Sequence, residues 1–233
     1  MIIPRLFNRV TPKRPLPGTL EPVKMGKPQR ATVHMIGSLL LDYPDNDWFD
    51  RLEAIEAHLG GIPPQIAELF AGFIDTARAT GSTELQRQYV DTFDLKRKCS
   101  LYLSYFATGD TRKRGTALVT FIEAYRAAGW DFSADELPDY LPAVLEFSAK
   151  SEDEIAEALL AAHIEGIEVL RAALEAMHSP WADLIRTITL SLPPVDAETQ
   201  ERVLALVSEG PPTETVGLSF LGNLPPFSPR GDS

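Results

Sequence analysis

The sequence predicts an all-α protein, a single compact bundle of about eight to ten helices with disordered N- and C-terminal tails. Apolar residues recur at helical spacing from about residue 29 to about residue 192. Glycine, proline and aspartate residues interrupt this pattern where helices should begin and end. No Asn-Gly or Asp-Gly hairpin turn lies between alternating segments, and no repeat of about 20–50 residues indicates a solenoid.

Three helices are predicted in the first half of the helical region. Apolar residues follow helical spacing from Trp48 to Leu59, and Gly60-Gly61 ends that segment. Pro63-Pro64 begins the next helix, and Gly81-Ser82 separates it from a third. The second helix has a core-facing stripe formed by Ile66, Leu69, Phe70, Phe73 and Ile74. The third helix carries three apolar residues spaced four apart, Leu85, Tyr89 and Phe93.

In the second half, Ser151 and Glu154 form a capping-box pattern that predicts the start of one long helix. This helix should extend to about His178, and another should cover residues 181–190. The chain therefore divides into a basic, Pro-rich and disordered tail (1–28), one helical domain (29–192), a weak C-terminal helix (193–209) and a Pro- and Gly-rich tail (210–233).

Composition indicates a cytoplasmic protein that does not insert into a membrane. Hydrophobic residues make up 44% of the chain, but no stretch approaches the ~20 apolar residues of a membrane-spanning helix. The first ten residues lack the apolar core of a signal peptide. A single cysteine, Cys99, excludes an internal disulfide and suits a reducing compartment.

Charge is distributed unevenly. Residues 1–30 hold seven of the 22 Lys and Arg residues but only one of the 33 acidic residues, which leaves a net charge of −17 on the remainder. Such an acidic body repels nucleic acid and favours partners that carry positive charge. The charge asymmetry suggests that the basic leader could fold back over a binding groove.

The residues that usually carry chemistry occur without the spacing that chemistry needs. The four histidines (His34, His58, His163 and His178) do not pair with other ligands at metal-site spacing. No Gly-rich nucleotide loop or nucleophile elbow is present. We therefore predict no catalytic residue, no metal and no cofactor, and expect a protein that binds another protein.

Three segments stand out as candidates for that binding. The first carries Glu84, Tyr89 and Phe93 along one helix, and the third holds Asp139 and Tyr140 between two prolines. The second is an aromatic segment with Tyr102 and Tyr105, flanked by basic clusters that include Arg97, Lys98, Arg112 and Arg114. Core packing is the alternative for each ring, and solubility is the alternative for the basic clusters.

Residues 89–115, YVDTFDLKRKCSLYLSYFATGDTRKRG, resemble the signature of the NarJ family of nitrate reductase molybdenum cofactor assembly chaperones. The segments LLLDYPDNDWFDRL and ELPDYLPAVLEF match the family in order and spacing, so the resemblance covers about residues 30–180. Many relatives in the wider group of molybdoenzyme maturation chaperones have histidine where this chain has Tyr140. That difference favours the nitrate reductase branch.

The resemblance implies a cytoplasmic, all-helical chaperone that is not an enzyme. Its partner would be the apo form of the catalytic (alpha) subunit of respiratory nitrate reductase, bound through the N-terminal segment of that subunit. The chaperone would hold the subunit while the molybdenum cofactor and an iron–sulfur cluster are inserted, before the complex docks on the membrane.

The partner segment should bind as a short amphipathic helix in an apolar groove. We expect acidic residues at the rim, Glu84 and Asp139, and an aromatic wall formed by Tyr89, Phe93, Tyr102, Tyr105 and Tyr140. The basic residues Arg97, Lys98, Arg112 and Arg114 would contact an acidic surface of the apoenzyme or the phosphate of the cofactor. Two alternatives remain open: a chaperone for an exported twin-arginine molybdoenzyme, and a pterin-binding helical protein.

Overall fold

The computed structural model describes residues 20–109, 113–133 and 136–192. Within these ranges every regular element is a helix, which confirms the predicted all-α fold. The weak helix predicted for residues 193–209 and the tail predicted for 210–233 lie outside them. The α-helices are α1 (Lys27–Leu41), α2 (Asn46–Asp50), α3 (Leu52–Leu59), α4 (Pro64–Thr80), α5 (Ser82–Tyr89), α6 (Leu103–Thr108), α7 (Lys113–Ala127), α8 (Leu141–Lys150), α9 (Glu154–Ala162), α10 (Ile164–Ala176) and α11 (Trp181–Ser191).

Two short elements connect α5 to α6. A π-helical turn, Val90–Asp94, continues α5, and a 3-10 turn, Arg97–Cys99, follows it. The predicted helix from Trp48 to Leu59 is likewise two helices, because the chain breaks at Arg51 between α2 and α3.

The chain joins the bundle before α1 begins. The Val23 backbone N–H donates to the Leu190 carbonyl at 2.8 Å. Val23 and Met25 both pack against the core. Residues 20–28 are the part of the predicted tail (1–28) that the structure describes, and at Val23 they lie against α11 on the surface of the bundle.

The core is centred on α1 and α11. α1 packs against α8 and α11, and α11 also packs against α4 and α10. Trp181, at the start of α11, is 1% exposed, and its indole lies 5.5–6.0 Å from the rings of Phe73, Tyr89 and Phe93. Each such aromatic pair contributes about 0.5–1.5 kcal/mol beyond simple burial. These contacts hold α4, α5 and the π-helical turn against α11.

α1 carries a histidine, His34, that is completely buried. Its Nε2 and Nδ1 each lie 2.9 Å from a serine hydroxyl, those of Ser191 and Ser148 respectively. The Ser191 hydroxyl already donates its single proton to the Ile188 carbonyl, so it accepts from Nε2–H. Nδ1 then accepts from Ser148. This arrangement holds a neutral imidazole of one tautomer between α8 and α11.

The prediction of a single helix from residue 151 to about 178 is wrong, because α9 and α10 are separated at His163. The His163 side chain donates from Nδ1 to the Leu159 carbonyl at 2.8 Å, the carbonyl that its own backbone N–H would use in a continuous helix. That N–H bonds to the Leu160 carbonyl instead, at 3.0 Å.

The capping residue was also predicted incorrectly. Asp153 caps α9, because its Oδ1 accepts from the Ile155 N–H at 2.8 Å. Ser151 ends α8 and accepts from the Asp153 N–H at 3.1 Å.

Gly166 allows α10 to lie directly on Phe106 of α6. A Cβ at this position would stand 2.9 Å from Phe106 Cβ and 3.0 Å from Cδ2. We expect Gly166→Ala to lower the free energy of unfolding by about 1–3 kcal/mol through overpacking, measured by urea denaturation. Gly72→Ala in α4 is the matched control, since a Cβ there meets nothing within 4 Å. It should raise stability by about 0.5–1 kcal/mol, and equal midpoints for the two variants would contradict the tight contact.

Candidate functional site

An open apolar groove lies between α1 and α3. Its floor is formed by Met35, Ile36 and Leu39 of α1 and by Ile55 of α3, and its volume is about 590 Å³. That volume lies within the ~300–1,000 Å³ of typical ligand sites. We call it the α1–α3 groove; the other residues that line it are Ala31, Thr32, Asp50, Arg51, Ala54, His58 and Ala149.

Helical spacing on the two elements produces this groove. Met35 and Leu39 lie four residues apart on α1, and Ala54 and His58 lie four apart on α3, so each pair shares one face of its helix. Other faces of α1 are covered by α8 and α11. At one end Gln29 donates from Nε2 to the Gly61 carbonyl at 3.2 Å, which joins α1 to the chain after α3.

The groove continues towards the start of α8 through a second depression of about 300 Å³. The two share Met35, Leu39 and Arg51. Ser38 donates its hydroxyl to the Pro142 carbonyl at 2.8 Å and so fixes α1 against α8 at this point. The extension is further lined by Asp42, Tyr140, Ala143 and Glu146.

Acidic residues predominate along the two depressions. Asp42, Asp50 and Glu146 line them together with a single guanidinium, that of Arg51. Glu146 pairs with Lys150, whereas Asp42 and Asp50 form no ion pair with any residue that the structure describes. A surface of this kind attracts a partner that combines apolar side chains with positive charge.

Three tyrosines meet beside the extension. The Tyr89 hydroxyl donates to the Leu41 carbonyl at 3.0 Å, so the Tyr140 hydroxyl, 3.0 Å away, donates to it. The Tyr102 ring lies 5.5 Å from the Tyr140 ring, and its hydroxyl donates to Glu136 at 2.9 Å. Burial raises the pKa of Tyr89 and of Tyr140 well above its ordinary value, and raises the pKa of Tyr102 to about 12. All three hydroxyls are therefore protonated at neutral pH.

Asp139 is not at a groove rim, contrary to the sequence-based expectation, because its side chain is fully buried. Oδ2 accepts from the Ser104 N–H at 3.1 Å and from the Ser104 hydroxyl at 2.6 Å. Oδ1 has no hydrogen-bond partner among the described residues. An isolated antiparallel bridge joins Tyr102 to Tyr140 and orients the neighbouring residues alternately, so Asp139 points inward while Tyr140 reaches the groove.

The remaining predicted residues of the peptide site lie elsewhere. Glu84 is on the surface of α5, where hydrogen bonds from Arg87 and Gln88 lower its pKa to about 2. Phe93 is buried beside Trp181, and Tyr105 is half-buried on α6 with its ring 6.2 Å from Phe106. Of the seven predicted residues, Tyr140 is the one that lines the extension of the groove, and none of the seven lines the α1–α3 groove itself.

The described members of the predicted basic set, Arg97, Lys98 and Arg114, do not line the groove or its extension. Arg97 and Lys98 are exposed on the 3-10 turn, and the Arg114 guanidinium lies 5.4 Å from the centre of the Tyr102 ring. Arg112 is outside the described residues. Burial raises the pKa of the Cys99 thiol despite the nearby Lys96, so this thiol is not activated.

Two features are absent from the part of the chain that the structure describes. No group of three or more His, Cys, Asp or Glu side chains there could hold a metal ion. No helix there has the length and apolar character needed to cross a membrane.

A sequence profile described as the nitrate reductase delta subunit matches residues 59–186, more than half of the chain. The chain belongs to this family. It is 34% identical over 156 residues to a probable nitrate reductase molybdenum cofactor assembly chaperone, NarJ, of Bacillus subtilis (strain 168), covering 66% of this chain and 85% of that protein. NarJ of Escherichia coli (strain K12), also named an assembly chaperone, is 31% identical over 153 residues, which are 64% of this chain and 65% of that protein.

A third relative is much longer than this chain. The nitrate reductase-like protein NarX of Mycobacterium tuberculosis (strain ATCC 25618 / H37Rv) is 33% identical over 156 residues, which are 67% of this chain but 24% of that protein. The delta subunit family assignment confirms the resemblance seen in the sequence. It also agrees with a function that is not catalytic, because the NarJ relatives are named as assembly chaperones.

The delta subunit match includes every predicted peptide-site residue but leaves out both helices that form the α1–α3 groove. It begins at residue 59, the last residue of α3, so Ala149 is the one lining residue of the groove that it includes. Sequence reasoning missed Met35, Leu39, Ala54 and His58. The available signal was the pair Met35 and Leu39, which adds a second apolar face to α1 beside its buried residues.

Proposed function

We propose that this member of the nitrate reductase delta subunit family is an assembly chaperone of respiratory nitrate reductase. It binds the N-terminal segment of the apo catalytic (alpha) subunit in the α1–α3 groove. It then holds that subunit in the cytoplasm while the molybdenum cofactor and an iron–sulfur cluster are inserted, before membrane docking. The observation that carries this proposal is an apolar groove that, together with its extension, is lined by Asp42, Asp50 and Glu146, in a chain whose relatives are named as molybdenum cofactor assembly chaperones.

Apolar contacts would supply most of the affinity. A helix presents side chains at i, i+3, i+4 and i+7 to a groove, and Met35, Leu39 and Ile55 offer the matching apolar floor. Burial of about 400 Å² of apolar surface would contribute roughly 10 kcal/mol before the costs of ordering the peptide. Association costs of about 4 kcal/mol or more leave at most about 6 kcal/mol, which corresponds to a dissociation constant of roughly 40 µM or weaker and suits a chaperone that must release its client.

Charge would select the client peptide and guide its approach. Asp42 and Asp50 replace Glu84 and Asp139 as the acids beside the apolar surface. Exposed charges act mainly on the association rate, so binding should weaken as salt rises. A peptide with Lys or Arg on the polar face of its helix is therefore preferred.

Isothermal titration calorimetry with a peptide of the first ~15–30 residues of the cognate catalytic subunit tests the proposal. We expect saturable binding, a negative heat-capacity change and lower affinity at high salt. A twin-arginine leader that competes equally well would favour a chaperone for an exported molybdoenzyme. Absorbance above ~300 nm in the purified protein would favour the pterin-binding alternative. Absence of binding at every pH and salt concentration would refute the groove mechanism.

The predicted basic residues suggest a second contact with the client, and two of them, Arg97 and Lys98, are exposed. Arg97, Lys98 and Arg114, together with Arg112, would meet an acidic surface of the folded apoenzyme. Charge reversal at these four positions should lower nitrate reductase activity in cells while leaving peptide affinity unchanged in calorimetry. Full activity of the reversed variant would show that these residues serve solubility alone.

A further inference from the structure

We propose that residues 3–10 of this same chain dock in the α1–α3 groove and compete there with the client peptide. The docking itself is a property of the groove, and the competition rests on the function proposed above. These residues lie outside those that the structure describes; their sequence, the lining of the groove and the point where the described chain begins all favour docking.

Residues 3–10 have the pattern of a groove-binding helix. Ile3, Leu6, Phe7 and Val10 are spaced i, i+3, i+4 and i+7, which on a helix places them within an arc of roughly 100°. Arg5, Asn8 and Arg9 fall on the opposite side. Pro4 suits the first turn of such a helix and Pro12 would end it.

The segment and the groove are complementary in charge. Residues 1–19 contain four cations, Arg5, Arg9, Lys13 and Arg14, and no acid. The groove and its extension present Asp42 and Asp50, neither of which pairs with a described cation. The segment thus has the two properties expected of the client peptide, apolar anchors on one face and positive charge on the other.

The tether is long enough and starts at the correct end of the groove. Val23 is fixed to Leu190, and Lys27 donates to the Glu152 carbonyl three residues after Ala149 of the groove wall. Ala31 is the first groove residue of α1. It lies at most about 20 Å from Val23, because four extended residues (23–27) and about one helical turn (27–31) separate them. The twelve or so residues between Val10 and Val23 span up to about 40 Å, so residues 3–10 can reach the groove floor.

Tethering compensates for a short and therefore weak ligand. An effective concentration of about 1 mM would keep a segment with a dissociation constant of ~100 µM docked about 90% of the time. A client peptide would then bind the intact chain about tenfold more weakly than it binds an open groove. The segment would exclude weak ligands while a client with more anchors displaces it.

The test uses the full chain with 13C-labelled methionine methyl groups, because Met35 lies on the groove floor and Met177 lies outside it. Phe7→Glu removes an anchor, and the neighbouring Asn8→Glu makes the same charge change on the polar side. Phe7→Glu should shift the Met35 resonance and leave Met177 in place, while Asn8→Glu should leave both unchanged. A peptide of residues 1–12 added to the Phe7→Glu protein should return Met35 towards its wild-type position with saturation.

Calorimetry with the client peptide separates docking from competition. We expect about tenfold tighter binding to Phe7→Glu than to the wild-type chain or to Asn8→Glu. A Met35 resonance that does not respond to Phe7→Glu or to the added peptide overturns the docking, whatever the client peptide does. Failure of the client to bind any of the three proteins, while Met35 responds, refutes the proposed function and supports the docking. A Met35 shift that depends on protein concentration would place the segment in a second copy and overturn intramolecular docking.

Discussion

Ala54→Trp is expected to weaken binding of the client's N-terminal peptide by roughly 100-fold or more. Ala54 is exposed on α3 and lines the α1–α3 groove, so an indole at this position would occupy the volume above Met35 and Leu39. Loss of two apolar anchors, at about 1.5 kcal/mol or more each, amounts to roughly 3 kcal/mol of binding free energy. Isothermal titration calorimetry of the variant with the same peptide measures this loss.

Ala57→Trp is the matched control for this substitution. Ala57 is exposed on the same helix but does not line the groove, so we expect the affinity to change by less than about twofold. Neither alanine belongs to the core, and both variants should keep the wild-type unfolding midpoint. Unchanged affinity in Ala54→Trp, together with binding to the wild-type protein, would locate the peptide site outside the α1–α3 groove.

Apolar periodicity was sufficient to predict the helices whose burial it reflects directly. In α4, five residues were predicted to face the core; Ile66, Phe70, Phe73 and Ile74 are at most 2% exposed, whereas Leu69 is only half-buried. The break at His163 escaped prediction, because the residues on either side continue the apolar pattern. It results from a side chain that competes with the backbone for one carbonyl, and periodicity contains no information about such a bond.

The site was harder to predict than the fold, because it depends on how helices are placed. Asp139 and Tyr140 are neighbours in sequence, yet one is buried on Ser104 and the other lines the groove extension. Their separation follows from a single backbone bridge to Tyr102, which pairs segments 38 residues apart. The groove floor likewise combines Met35 with Ile55, and each belongs to a helix that would be an ordinary amphipathic element by itself.

Acidification below pH 6.5 is expected to destabilise the folded protein through His34. Burial, with a smaller effect of Arg30, lowers the pKa of His34 from 6.5 to about 3. Between these values the unfolded chain binds a proton at His34 that the folded chain does not, so stability falls as pH falls. The loss is about 1.4 kcal/mol per pH unit, or roughly 2 kcal/mol between pH 6.5 and pH 5. Urea denaturation at pH 7.5, 6.5, 5.5 and 5.0 measures it.

His34→Gln should flatten this dependence, while the exposed His58→Gln should leave it unchanged. Some slope should remain in His34→Gln, because burial also lowers the pKa of His163. The chosen window lies above the range in which Glu56 and Glu84, whose pKa values are lowered by arginine partners, would take up protons. Parallel loss of stability in the wild-type and His34→Gln proteins would show that the folded protein admits a charged imidazole at this position. The Ser148 hydroxyl would then have to reorient, because Nδ1 of a protonated His34 donates and cannot accept from Ser148, whereas Ser191 would continue to accept from Nε2–H.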